Sequence, residues 1–187
     1  MEDEIQNAFE VVRKGGVILY PTDTVWGIGC DATNSEAVKR IYAIKQREDS
    51  KSMLVLIDSA ALLDYYVKDF PEIARDLIRI SDRPLTIVYL NARNVAPDLI
   101  APDGSLGIRV TQEEFSQKLC QRLRKPLVST SANISGQATP CNFSEISQEI
   151  LQAVDYVVNY RREENQEARP STIYQIGKNG VVKVIRE

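Results

Sequence analysis

The chain has 187 residues, of which 43% are hydrophobic and 26% are charged, a balance that excludes a wholly disordered protein. Its formal net charge of −3 argues against a protein that coats nucleic acid through charge alone, but it is compatible with a local basic cavity. The chain contains no histidine, which excludes Ser-His-Asp and Cys-His catalysis and histidine-ligated metals.

Periodicity predicts helices and strands along the first part of the chain. In order these are a helix over 4–14, a strand over 17–20, a helix from Asn34 or Ser35 to Lys45, a strand over 53–57, helical stretches over 59–67 and 71–80, and strands over 85–90 and 106–110.

The first predicted strand ends in a polar turn. It stops at Pro21, and Thr22, Asp23 and Thr24 then place hydroxyls and a carboxylate at a strand end, where open α/β sheets build ligand crevices. Gly27 and Gly29 allow close backbone approach or a positive φ. An ordinary exit from a strand into a turn is the alternative interpretation.

The second part of the chain continues the mixed pattern. It predicts a helix from a capping box of Thr111 and Glu114 to Arg124, a strand over 126–129, a loop over 134–143, a helix over 144–153, a strand over 156–158, a solvated loop over 161–169, and a hairpin of 171–176 and 181–186 around Asn179-Gly180. The expected fold is a mixed α/β sheet flanked by helices, in one domain over 1–187.

The cysteines and the N-terminal segment bear on the compartment. Cys30, Cys120 and Cys141 form no Cys-x-x-Cys pair, so neither a disulfide framework nor a zinc site is expected. The N-terminal segment is acidic where a signal peptide would be basic, and no apolar run approaches the roughly 20 residues of a membrane span. We therefore predict a cytoplasmic protein that does not contact a membrane.

Two polar clusters could carry chemistry. Lys45, Arg47 and Lys51 could face one anion, although cations at a helix C-terminus are the alternative. The stretch 129–133, Ser-Thr-Ser-Ala-Asn, follows a short strand and could hold phosphate or ribose oxygens, or simply cap a helix. Arg109, near the end of another strand, suits a carboxylate. The sequence contains no phosphate-binding loop and no dinucleotide fingerprint.

Together these segments resemble the YrdC-like threonylcarbamoyl-AMP synthases. The resemblance rests on Tyr-Pro-Thr-Asp-Thr-Val-Trp-Gly over 20–27, Lys-Gln-Arg over 45–47, Pro-Leu-Val-Ser-Thr-Ser-Ala-Asn over 126–133, Arg109, and Pro-Ser-Thr-Ile over 170–173. It implies a YrdC/RibB-like fold, an open twisted mixed β-sheet flanked by helices around a concave cavity. The implied enzyme is a nucleotidyltransferase that joins L-threonine, bicarbonate or CO2, and ATP into threonylcarbamoyl-AMP and releases pyrophosphate for tRNA threonylcarbamoyladenosine modification.

The resemblance also implies a set of site residues. The catalytic tetrad would be Lys45, Arg47, Ser131 and Asn133. ATP would be held by Arg47, Lys51, Ser105, Ser131, Thr139 and Arg186. Threonine would be held by Thr24, Arg109, Ser129 and Ser171. Mg²⁺ would arrive with ATP and no protein-bound metal is expected, while separate tRNA-modification proteins would transfer the threonylcarbamoyl group.

Departures and alternatives accompany this interpretation. Ser-Asp-Arg-Pro at 81–84 replaces the family's Trp-Pro-Gly-Pro, and Trp26 replaces a more usual Tyr or Phe. A module that binds tRNA or double-stranded RNA through the cavity without catalysis is one alternative, which the acidic composition disfavours. A paralogue with a different substrate is the other. The loop 161–169 could serve as a lid over the site.

Overall fold

The computed structural model describes residues 1–46, 53–164, 170–177 and 179–186. Within these ranges the chain forms a mixed α/β fold, as predicted. The helices are α1 Glu2–Arg13, α2 Ser35–Ile44, α3 Leu63–Tyr66, α4 Ile73–Ile80, α5 Glu114–Leu123 and α6 Gln148–Ala153. The strands are β1 Ile18–Tyr20, β2 Gly27–Gly29, β3 Leu54–Ile57, β4 Leu85–Tyr89, β5 Leu106–Val110, β6 Leu127–Ser131, β7 Tyr156–Val157, β8 Thr172–Ile176 and β9 Val182–Arg186.

The nine described strands form one mixed sheet in the order β7-β1-β2-β6-β3-β5-β4-β8-β9. Strand β6 links its two halves, since Leu127–Ser129 pair with β3 while Thr130 and Ser131 pair with β2. Both pairings are antiparallel, whereas β3 with β5 and β4 with β8 are parallel. Strand β6 therefore carries its hydroxyl side chains to the junction between the halves.

Helices cover parts of both sheet faces because successive strand residues point to opposite sides. Tyr20 and Leu56 pack with α1 and α5, through residues such as Ile5 and Phe115. Their neighbours along the strands, such as Val55, pack in the larger core that includes α2 and α6. Helices α1 and α5 contact each other, α1 also contacts β1, and α5 also contacts β3. The two helices therefore lie together on the face that carries Tyr20 and Leu56.

Strand β2 was not predicted from the sequence. Gly27 and Gly29 were expected to allow close backbone approach, and Gly29 does so within a strand. A Cβ there would lie 2.4 Å from the Val128 carbonyl oxygen and 2.7 Å from the Tyr20 ring, so only glycine fits. The glycine requirement comes from packing between β1 and β6.

Several local predictions are confirmed and one is wrong. The Asn34 side chain caps α2 by accepting from Ala37 N, and the Asn-Gly hairpin joins β8 to β9. The predicted helical stretch over 59–67 is a 3-10 turn followed directly by the short α3. The capping box expected from Thr111 is wrong, because the Glu113 side chain caps α5 by accepting from Phe115 N and Ser116 N. Of the expected loop 161–169, residues 165–169 lie outside the described ranges. No helix in the described ranges is long and apolar enough to cross a membrane.

Candidate active site

A cavity of about 310 Å³ lies on the sheet face that α1 and α5 cover only in part. Leu54, which packs against the α1–α5 cluster, also lines it. Register explains the grouping, since Leu54 pairs with Ser129 and Arg109 pairs with Thr86 across neighbouring strands. The lining residues are Thr24, Val25, Gly27, Met53, Leu54, Thr86, Val88, Gly107, Arg109, Ser129, Thr130, Ser131, Thr139, Pro170, Ser171, Ile173 and Arg186.

The cavity gathers most of the site residues expected from the sequence. Those that line it are Thr24, Arg109, Ser129, Ser131, Thr139, Ser171 and Arg186. In the described part of the chain, Lys45, Ser105 and Asn133 are not among the lining residues. Ser105 is buried, and its backbone NH donates to Asp103. Arg47 and Lys51 lie outside the described residues, so their assignment to ATP stays a prediction.

Arg109 presents a buried guanidinium beside the cavity. Its Nη1 donates to Asp23 Oδ1 at 2.6 Å and to Thr24 Oγ1 at 3.2 Å, and the side chain is only 3% exposed. Its Nε is buried and has no hydrogen-bond partner among the described residues. Because Arg109 lines the cavity, its guanidinium places a positive charge beside any ligand that binds there.

Asp23 is a site residue that the sequence analysis did not assign. The sequence indicates a carboxylate at the strand end but gives no signal for the partner of Asp23, because Arg109 lies 86 residues further along the chain. Burial raises the pKa of Asp23, and the positive charge of Arg109 opposes that rise. We infer that the carboxylate is ionised in the pair, because the Arg109 charge would otherwise be buried alone.

The polar turn after β1 fixes the position of Thr24. Thr22 Oγ1 accepts from Thr24 N at 3.0 Å, donates to the Val25 carbonyl at 2.7 Å, and lies 3.1 Å from Thr24 Oγ1. Thr22 is buried, whereas Thr24 reaches the cavity. The turn therefore holds a hydroxyl next to the Arg109 guanidinium.

A second polar group lies across β4, β8 and β9. Thr86 Oγ1 and Ser171 Oγ are 2.9 Å apart, and both residues are buried. Arg186 donates through Nε and Nη2 to the Ser171 carbonyl, at 3.0 and 2.9 Å. Burial and the nearby charge of Arg109 lower the pKa of Arg186. Two guanidiniums facing one cavity favour an anionic ligand. Thr86 was not expected as a site residue.

Lys45 holds the loop that follows β6. It is 2% exposed, and its Nζ donates to the Ser131 and Asn133 carbonyls at 2.6 and 2.7 Å. Its own carbonyl accepts from Ser135 N at 2.9 Å. Because Lys45 ties the end of α2 to the loop backbone, it shapes the Ser131 side of the cavity rather than lining it.

Asn133 is also directed toward its own loop. Its side-chain Nδ2 donates to the Gln137 carbonyl at 2.9 Å and to the Ile134 carbonyl at 3.1 Å. Its Oδ1 is buried and has no partner within the described ranges. The amide therefore stabilises the loop and keeps one acceptor for another group.

Two glycines bring backbone close to the cavity. A Cβ on Gly107 would lie 3.3 Å from both Leu54 Cβ and Thr86 Cγ2, and one on Gly27 would lie 3.2 Å from Thr22 Cγ2. Side chains at either position would crowd the hydroxyls that line the cavity.

The three cysteines, which are the other reactive side chains, are not among the residues that line this cavity. Cys30, Cys120 and Cys141 are free thiols, and burial raises the pKa of Cys30 and of Cys120. Among the residues that the structure describes, no group of three or more acidic or cysteine side chains could hold a metal ion. The arrangement thus supplies positively charged groups, hydroxyls and amides, which bind and orient anions.

Comparisons with known proteins agree with this architecture. The Sua5_yciO_yrdC family model, described as "Telomere recombination", matches residues 10–187. The threonylcarbamoyl-AMP synthase of Pseudoalteromonas translucida is 37% identical over 175 residues, which cover 92% of each chain.

Two solved structures are similar over most of the chain. E. coli YciO has a TM-score of 0.85 at 26% identity, covering 100% of this chain and 90% of YciO. Sua5 of P. abyssi, solved with L-threonine, has a TM-score of 0.79 at 27% identity and covers 91% of this chain. This chain spans about half the length of that Sua5, because the match covers 50% of it.

Proposed function

The chain belongs to the Sua5/YciO/YrdC family, and on that premise we propose that it is an L-threonylcarbamoyladenylate synthase. The enzyme would join L-threonine, bicarbonate or CO2, and ATP, and would release pyrophosphate. The observation that carries the proposal is the Arg109 guanidinium, which lines a cavity rich in hydroxyls and donates to one of them, Thr24 Oγ1. An Arg in such a cavity suits an amino-acid carboxylate.

Threonine would occupy the part of the cavity around Arg109. Its carboxylate would accept from the guanidinium, and Thr24, Ser129 and Ser171 would supply hydroxyls for its polar groups. The L-threonine complex of P. abyssi Sua5 supports this choice of amino acid. Charge-assisted hydrogen bonds would fix the amino acid by one end and leave its amine available.

ATP would lie across Ser131, Thr139 and Arg186, which line the same cavity. Arg47, Lys51 and Ser105 remain assigned to ATP by resemblance alone. Mg²⁺ would enter as Mg-ATP, a substrate rather than a resident metal. Cationic side chains at the triphosphate would stabilise the negative charge that develops as pyrophosphate leaves.

The reaction requires no protein nucleophile. The neutral threonine amine attacks CO2 and loses a proton, giving a carbamate. A carbamate oxygen then attacks the α-phosphorus of ATP, the bond to the β-phosphate oxygen breaks, and pyrophosphate leaves. Holding three reactants together supplies most of what such a reaction needs, which suits a chain without histidine.

The product would supply tRNA threonylcarbamoyladenosine formation in the cytoplasm. Separate tRNA-modification proteins would transfer the threonylcarbamoyl group. Direct contact with RNA is part of the alternative function, in which the cavity binds RNA without catalysis.

The test is pyrophosphate release from Mg-ATP by the purified protein. We expect release only when both L-threonine and bicarbonate are present, and L-valine, which lacks the hydroxyl, should be a much poorer substrate. Equal rates with and without threonine would refute the proposal. RNA binding without any threonine-dependent release would support the alternative.

A further inference from the structure

Asp23 stands between two cavities. It does not line the cavity that contains Arg109, Thr24 and Ser171. It lines a second one of about 290 Å³, with Ile78 of α4, the 81–84 turn and Glu113, the residue that caps α5. Its Oδ1 nevertheless accepts from Arg109 Nη1 at 2.6 Å. Within the described structure, this carboxylate therefore reaches the first cavity through Arg109.

We propose that Asp23 is a positioning residue that orients Arg109 to receive the carboxylate of the amino-acid substrate. The proposal rests on the proposed function, because it assumes that Arg109 holds threonine. Asp23 and Thr24 both engage Nη1, which fixes one corner of the guanidinium and leaves Nε without a partner in the described ranges. The rest of the planar fork then has one orientation in which to meet a carboxylate.

Two effects of Asp23 on binding oppose each other. Its negative charge weakens the attraction of Arg109 for a second carboxylate. Its hydrogen bond holds a long side chain in place before the substrate arrives, so less rotamer entropy is lost on binding. Burial favours orientation as the larger effect, because a guanidinium that is 3% exposed needs a compensating charge to remain in place.

The test is Asp23→Asn in the full chain, assayed by pyrophosphate release. We expect the KM for L-threonine to rise at least about tenfold, while kcat stays within about threefold and the KM for Mg-ATP within about twofold. The matched control is Glu113→Gln, because Glu113 is another carboxylate of low exposure that pairs with an arginine, Arg161, at 3.3 Å. The control should lower the melting temperature and leave the threonine KM unchanged.

A double-mutant cycle separates positioning from a general loss of structure. If Asp23 acts through Arg109, introducing Asp23→Asn into the Arg109→Gln variant should raise the threonine KM little further. The effects of the two substitutions on this KM should therefore be strongly non-additive. Additive effects, or a threonine KM in Asp23→Asn within about twofold of wild type, would overturn the proposal.

A second variant covers the case in which Asp23→Asn does not fold. Asp23→Glu keeps the charge and displaces it by one methylene, so we expect a raised threonine KM and a smaller threonine-induced rise in melting temperature. An unchanged threonine KM in a folded Asp23→Glu would count against positioning. If the wild-type chain itself shows no threonine-dependent release, the proposed function fails, and that outcome is distinct from failure of the role of Asp23.

Discussion

Two aspartate–arginine pairs with similar contact distances lie in different surroundings. Arg109 Nη1 is 2.6 Å from Asp23 Oδ1, and these side chains are 3% and 14% exposed. Arg40 Nη1 is 2.8 Å from Asp155 Oδ2, but these side chains are 46% and 40% exposed. Burial raises the pKa of Asp23, whereas the hydrogen bond from Arg40 lowers the pKa of Asp155.

The difference shows that contact distance alone does not define the role of an ion pair. Exposed pairs contribute about 0–1 kcal/mol, and the Asp155 carboxylate also accepts from Val17 N at 2.7 Å, next to β1. Buried pairs often cost more in desolvation than their attraction returns. We therefore assign the exposed pair to the fold and the buried pair to binding.

The largest expected effect comes from breaking the buried pair on its cationic side. Arg109→Gln should lower kcat/KM for threonine at least about 100-fold, because the substrate carboxylate loses its partner and Asp23 remains buried alone. Arg40→Gln is the matched control and should change kcat/KM by less than about twofold. Equal losses in the two variants, measured by pyrophosphate release, would remove the distinction between the pairs.

A buried lysine that donates to two backbone carbonyls extends the comparison. Lys45→Met should lower the free energy of unfolding by about 3 kcal/mol, because the Ser131 and Asn133 carbonyls lose their Nζ donor. The melting temperature should fall by about 10 °C. Lys39→Met on the exposed side of α2 is the control, since Lys39 pairs with Glu36 at the surface. A Lys45→Met protein as stable as this control would contradict a structural role.

The exposed pair should show a smaller effect that depends on pH. Asp155→Asn should lower the free energy of unfolding at neutral pH by about 0.5–1 kcal/mol. Because the folded-state pKa of Asp155 is lowered, the contribution is present above the unfolded-state pKa and is lost as pH falls through the folded-state value. Urea titrations of both proteins from pH 7 to about pH 3 should therefore converge. A gap that widens in acid would refute the assignment.

The smallest expected stability change is the most direct test of the buried pair. Replacing both partners with apolar residues, Asp23→Val with Arg109→Met, should leave the free energy of unfolding unchanged or slightly higher, because no buried charge remains. Threonine-dependent activity should be lost. A loss of more than about 2 kcal/mol in chemical denaturation would mean that the pair supports the fold.

Patterns confined to a few residues predicted much of the fold. The Asn34 cap and the Asn179-Gly180 hairpin were predicted because their physical causes are local. Strand β2 was not predicted, because two of its three residues are glycines, and the requirement for glycine at Gly29 comes from the close approach of the Val128 carbonyl. The cap at Glu113 competed with a plausible cap at Thr111, and local sequence does not decide between them.

The site was predictable where residue type alone indicates a role. Arg109 and the Thr24 hydroxyl were expected at strand ends, Ser171 was expected from the family resemblance, and all three line one cavity. Asp23 and Thr86 were missed because their roles come from partners on distant strands. Lys45 was expected to share an anion with Arg47, which lies outside the described residues, so that expectation stays a prediction. The sequence carries no signal for the Lys45 hydrogen bonds to the Ser131 and Asn133 carbonyls, because they depend on how the loop after β6 packs against the end of α2.

The β8–β9 hairpin has a consequence for local unfolding. Strand β9 is at the edge of the described sheet, where Val184 and Ile185 are half exposed, yet it carries Arg186 to the cavity and to Ser171. Edge hairpins open at a lower free energy than the central strands. Each opening would remove both residues from the cavity without unfolding the core. A ligand that engages them should therefore slow amide hydrogen exchange in β8 and β9 more than in β1 or β6.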